Sequence, residues 1–345
     1  MSMKIIWTLS LLLLSRGAVH GQNCEQPNCG YLDEEQHANF THITGINEFA
    51  WIGRLGYESA RGINYKCLAV LISEQHLLAP AHCFNEAMLE DQPLRHVLLG
   101  DWNPTNPFMQ PDCSAQTNCA AIPQLFSIAE VIIHPDYQAS TLLNNIALLK
   151  LTHALDFSES IRAICLPPYR GSSTSYAHFA QFLSYAGFAV DKSLPFKLKG
   201  LMHVAGTSAC KRKLRNLNYI TASRDSPLNH ICANSNLDAQ IFTGAPLMDV
   251  QVRDSEPSNY YLVGLLVGPD RYTGSETVNL FMRIQPHREW IEYNMLCNST
   301  AATATPTTAA TTTTPRTTST ATTPRTTTTP SVEARLTQYN RLVFH

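Results

Sequence analysis

The sequence predicts an all-β domain closed by one helix and followed by a disordered Thr-rich tail. Three observations support this. Short apolar runs recur at 67–72, 75–78, 97–99, 128–133, 146–151 and 262–267, separated by Gly, Pro, Asn and Ser clusters. Runs of this length between turn residues fit strands of a sandwich or of paired barrels. Pro286, placed where a first helical turn tolerates proline, opens a helical pattern over 287–295. From Asn298 to about Pro330 the composition collapses to Thr, Ala, Pro and Ser, too little apolar surface to offset backbone ordering.

The chain has 345 residues and a net charge of −2, with 15% charged residues, which argues against nucleic acid as a partner. A basic start (residues 1–4), an apolar run (5–14) and the small residues Val19 and Gly21 predict a signal peptide over 1–21. The run is short for a membrane span, and no later stretch is longer. The mature chain is therefore expected to be secreted and oxidised, its ten cysteines forming a disulfide framework. Residues 22–42 form a light-chain-like N-terminal segment, 43–297 the main domain, 298–332 a mucin-like stalk and 333–345 a short apolar end. Sequons place N-glycans at Asn39 and Asn298. No ligand spacing indicates a metal, and no cofactor is expected.

Residues 67–83 (CLAVLISEQHLLAPAHC) read as strand, turn, strand and Ala-His-Cys, with a cysteine at each end. IIHPDY (132–137), NIALLKL (145–151), ICLP (164–167), TGAPL (243–247) and WIEYNM (290–295) follow in order. This set resembles the chymotrypsin/trypsin-like (S1) serine proteases over roughly residues 29–297. Cys113, Cys119 and the Cys29-Gly30 pair resemble the arthropod clip-protease branch, although 22–42 holds two cysteines where a clip module carries six. The resemblance implies a two-barrel chymotrypsin-like fold. It also implies pairs Cys29–Cys165, Cys67–Cys83, Cys113–Cys119 and Cys210–Cys232. Cys24 and Cys297 are left to pair with each other or with a second chain.

The same resemblance puts His82, Asn145 and Thr243 at the triad positions, and all three depart from a working set or stand alone in it. The mechanism needs a hydroxyl, an imidazole to take its proton, and a buried carboxylate to hold that imidazole in one tautomer. Asn145 replaces the carboxylate, a change that in this family lowers turnover about 10⁴-fold. Thr243 keeps a hydroxyl but adds a methyl that restricts χ1. Phe242 replaces the aspartate that receives the new α-ammonium after activation cleavage, and His42 precedes Ile43 without a basic residue to cut. The Asn39 glycan would cover this linker. Ile241 replaces an oxyanion-loop glycine. Leu237 falls at the pocket base, Asp238 beside it is not read as a pocket acid, and Ala239 stands where the pocket bridge has a cysteine.

These losses imply a non-catalytic protease homologue, a cofactor, decoy or regulator in an extracellular, innate-immune type of cascade. Its partners would be extracellular proteins, an active serine protease or its substrate; the oligomeric state is open. Two alternatives stand beside it: a weak endopeptidase using Thr243 and His82, and an adhesive glycoprotein acting through its tail.

Overall fold

The computed structural model describes residues 28–296, apart from 40, 116–117, 169–181, 207, 211, 213–228, 254–255 and 269–278. The signal peptide, Cys24, Cys297, Asn298 and the Thr-rich tail lie outside the described residues. Two closed six-stranded barrels make up the body. The first runs β1 (Ile52–Ser59), β2 (Gly62–Leu71), β3 (His76–Ala79), β8 (Ala147–Leu151), β7 (Gln124–Ile133), β4 (Leu94–Leu99). A small hairpin, β5 (Cys113–Ala115) and β6 (Asn118–Cys119), projects between β4 and β7 in the chain. The second barrel runs β10 (Lys197–Val204), β11 (His230–Ser235), β14 (Asn279–Arg283), β13 (Glu256–Gly268), β12 (Pro246–Arg253), β9 (Phe182–Phe188). This is the chymotrypsin-like architecture expected from the sequence.

The apolar runs at 67–72, 97–99, 146–151 and 262–267 fall on buried stretches of strand. β3 is buried along its whole length, and β8 is buried at every position except Lys150. Closing the barrel gives both strands apolar neighbours, so continuous hydrophobic sequence is stable there. β7 begins four residues before its apolar run, and all its residues are half-buried or exposed. Leu68, Leu77, Leu148 and Leu149 of the first barrel and Leu247, Leu262 and Phe281 of the second belong to one continuous core.

The closing helix is shorter than the 287–295 pattern. Pro286 lies in a 3₁₀ turn (Gln285–His287), and the α-helix spans Arg288–Asn294. His287 is the N-cap, with φ −100° and ψ 1°, because its ring is committed to the Arg283 carbonyl and to Asn144. We number this helix α3, after two short ones absent from the sequence reading: α1 (Glu34–Ala38) and α2 (Glu86–Leu89).

Residues 28–39 form a strap on the second barrel. The Cys29–Cys165 disulfide anchors it, and Gly30 exchanges two backbone hydrogen bonds with Tyr260 and Ala163. A Cβ on Gly30, at φ 64°, would sit 1.9 Å from the Tyr260 carbonyl oxygen, so only glycine allows this approach. Further along, the Lys199 ammonium reaches the Gln36 carbonyl and the buried Glu48 carboxylate. Cys67–Cys83, Cys113–Cys119 and Cys210–Cys232 are also bonded.

Candidate functional site

Three chain segments converge between the barrels. After β3 the chain tightens into a 3₁₀ turn (Ala81–Phe84) that carries His82, and the Cys67–Cys83 bond ties this turn to β2. Asn145 ends the loop before β8 and is fully buried. Thr243 ends the turn before β12. That turn is held against β2, where Leu68 N–H donates to the Thr243 carbonyl at 2.7 Å. Gly244 follows at φ 92°, and a Cβ there would lie 1.9 Å from the Leu68 oxygen.

The hydrogen bonds assign the proton on His82. Asn145 Oδ1 accepts the backbone N–H of His82 at 2.9 Å. A backbone N–H can only donate, so this contact fixes the amide, and Nδ2 is the atom that faces His82 Nδ1 at 2.9 Å. Nδ1 is therefore the acceptor, and the ring hydrogen sits on Nε2. Nε2–H points at Thr243 Oγ1, 3.1 Å away, and the threonine hydroxyl donates to the Leu266 carbonyl at 2.8 Å. Burial holds the His82 imidazole below its ordinary pKa, so the neutral ring prevails at pH 7. Every donor in this chain points from Asn145 toward Leu266.

The neighbouring positions are equally committed. Val190 N–H donates to the Gln240 carbonyl and Phe242 N–H to the Phe188 carbonyl, a bridge that fastens Ile241 opposite Ala189. The Ile241 side chain is buried, and its Cγ2 lies 2.5 Å from where a Cβ on Gly187 would be. Ile241 is not among the positive-φ residues. Phe242 packs its ring on the core. His42 and Ile43 are exposed and pair with β10 through Lys199 N–H to the His42 carbonyl and the Ile43–Leu198 bridge. Asn39 is exposed and accepts the Thr41 N–H at 3.1 Å. Leu237 and Ala239 are half-buried against the core, while Asp238 is exposed.

Ligand atoms of Cys67, His82 and Cys83 gather within 4.8 Å, but both sulfurs are spent in the disulfide. Asp101 is buried and paired with the Arg54 guanidinium at 2.5 Å. Sequence reasoning missed a second polar group: Asn144 beside Asn145, His287 before α3, and His230 on β11. Their positions in the chain are far apart, and only barrel closure brings them together.

A two-barrel body with a histidine turn, an asparagine loop and a hydroxyl turn meeting at its seam defines a serine-protease scaffold. The Trypsin family model matches residues 40–291, so the chain belongs to that family. Its relatives place it on the arthropod clip-protease branch. CLIP domain-containing serine protease B9 of Anopheles gambiae is 26% identical over 264 residues, covering 72% of this chain and 61% of that protein. Melanization protease 1 of Drosophila melanogaster is 27% identical over 289 residues, covering 78% of this chain and 68% of that protein. The first alignment thus spans about three-fifths of the relative's length. Among solved structures, the Drosophila Grass clip serine protease of the Toll pathway superposes with a TM-score of 0.62 at 21% identity, covering 78% of this chain and 74% of that one. At that identity the likeness concerns the fold. Among the described residues, no helix is long and apolar enough to cross a membrane.

Proposed function

We propose that this chain is a secreted, non-catalytic trypsin-family protein that acts by binding, as a cofactor, decoy or regulator in an extracellular proteolytic cascade. The direction of the hydrogen bonds at the seam carries this reading. A serine-type mechanism needs a lone pair on Nε2 to receive the nucleophile's proton, and a carboxylate to stabilise the resulting cation. Here Nε2 already bears the hydrogen, Thr243 gives its own hydrogen to Leu266, and Asn145 has no charge to offer.

The surroundings support the same reading. Phe242 cannot receive an α-ammonium, the linker before Ile43 offers no basic residue to an activating protease, and Ile241 puts a buried side chain where the oxyanion loop needs a glycine. Its relatives bear names that connect them with melanization and the Toll pathway. They favour an innate-immune cascade, with an active serine protease or its substrate as partner. The domain limits 22–42 and 43–297 and the mucin-like stalk belong to this proposal, as does an Asn39 glycan shielding the linker.

The test is labelling of the secreted chain with a biotinylated active-site phosphonate beside an active clip protease, together with turnover of a general peptide ester. No labelling, and turnover unchanged by Thr243→Ala, is the expected result. Stoichiometric labelling of the wild-type chain, or turnover abolished by Thr243→Ala, would establish a protease and end the proposal.

A further inference from the structure

The loop between β7 and β8 (residues 134–146) is fastened to the second barrel by histidines. His230 Nε2 meets the Leu142 carbonyl at 3.0 Å, and His287 Nε2 meets Asn144 Oδ1 at 3.0 Å. His134 lies edge-on to His287, with ring centroids 5.3 Å apart, and tilts over Trp290 at 4.9 Å. Leu142 and Asn144 both take left-handed backbone angles, φ 56° and 50°, so the loop needs outside contacts to keep its shape.

His287 is buried and its ring makes an unusual demand. Nδ1 faces the Arg283 carbonyl at 2.8 Å, and a carbonyl only accepts. Nε2 faces Asn144 Oδ1, whose amide is oriented by its own Nδ2–H, donated to the Asp136 carbonyl at 3.0 Å. Both ring nitrogens thus face acceptors. A neutral imidazole has one N–H and can serve one of them; the imidazolium has two and serves both.

We propose that His287 is a proton-operated latch between the barrels, which in its doubly protonated form ties the loop carrying Asn145 to the Arg283 carbonyl. In the neutral form the ring keeps Arg283, and the Asn144 amide must turn away from either His287 or Asp136. The release is one of side-chain scale, because His287 stays covered by His134 and the barrel. The groups around it are His134 and Asp136 on the loop, His230 on β11, Arg283 on β14, and Arg288 and Glu292 on α3. Arg288 and Glu292 bond each other at 2.8 Å, and Arg283 Nε points to the His230 carbonyl at 3.4 Å. Burial sets where the latch works: it pushes His287 down to about 4, with the Arg283 carbonyl opposing and the like charges of His134 and His230 adding to the fall. The latch therefore closes in acid.

The experiment is a ¹³C/¹⁵N NMR titration of the histidine rings of the full chain between pH 7.5 and 3.5. His287→Gln identifies the His287 signal. Asn144→Gly removes the second acceptor and suits the left-handed backbone. The expected result is an Nδ1–H tautomer above the midpoint, and a midpoint lower by about one unit in Asn144→Gly, roughly a tenfold loss of proton affinity. An unchanged or higher midpoint in that variant overturns the proposal. Amide exchange of residues 144–146 in the wild type gives a second reading: protection relative to β3 must rise as pH falls through the His287 midpoint, and no rise also overturns it.

Discussion

At the scale of single residues, Asn145 matters most. It is fully buried and uses both ends of its amide on His82. Asn145→Ala strands a buried N–H and a ring nitrogen, so we expect a loss of about 2–3 kcal/mol in urea unfolding. Asn145→Asp should keep the backbone contact and move the ring hydrogen to Nδ1. It should also raise the His82 midpoint, both visible by NMR; an Nε2–H tautomer in that variant would contradict the hydrogen-bond assignment. Even with Thr243→Ser added, phosphonate labelling should stay at background, because Ile241 and Phe242 remain. The order of motifs in the sequence singled out His82, Asn145 and Thr243, whose side chains meet in the structure. The tautomer was not legible, since it depends on a 2.9 Å contact between residues 63 apart in the chain.

At the scale of elements, the turn before β12 is the tightest constraint. Gly244→Ala places a Cβ against the Leu68 oxygen at φ 92°, and should cost roughly 3–5 kcal/mol in urea unfolding. A loss under about 1 kcal/mol would mean the turn can move off β2. Strands such as β3 and β8 were legible because barrel closure buries them on all sides and their apolar runs are unbroken. β1, β9, β10 and β14 were not picked out, though β14 is almost as buried. β1, β9 and β10 are interrupted by Gly, Lys or Arg, and the partners of the charged residues, Asp101 for Arg54 and Glu48 for Lys199, lie in loops distant in the chain. The short α1 escaped because five residues hold too little periodicity, and its N-cap bond from Gln36 N–H to Asp33 is local.

For the whole molecule, buried histidines set the response to acid. His76 and His287 are both held at about 4 by burial, and His82, His37 and His134 are lowered as well. The unfolded chain binds these protons near pH 6.5 and the folded chain only below that. Their contribution is therefore complete above pH 6.5 and is lost as pH falls toward 4. For His287 alone, a fall from 6.5 to about 4 corresponds to at most about 3 kcal/mol. Glu48 and Asp101, raised by burial, act with the opposite sign and offset part of this loss at the acid end. Urea midpoints measured from pH 7 to 5 should fall steadily; a flat profile would mean these histidines are solvated. The two-barrel plan was legible at this scale from motif order, whereas the histidine burden was not, because burial is a property of the closed barrels.

The Cys29–Cys165 bond gives the molecule a different relation to proteolysis from that of a chain merely folded shut. A cut anywhere between those two cysteines, including the exposed linker at His42 and Ile43, frees no fragment. The two pieces stay one covalent body, distinguishable only after reduction. Nicking would then alter slack rather than composition: the strap's far end would gain reach while its root stayed on the second barrel. A protein of this build can persist after a cut as a scarred but undivided body.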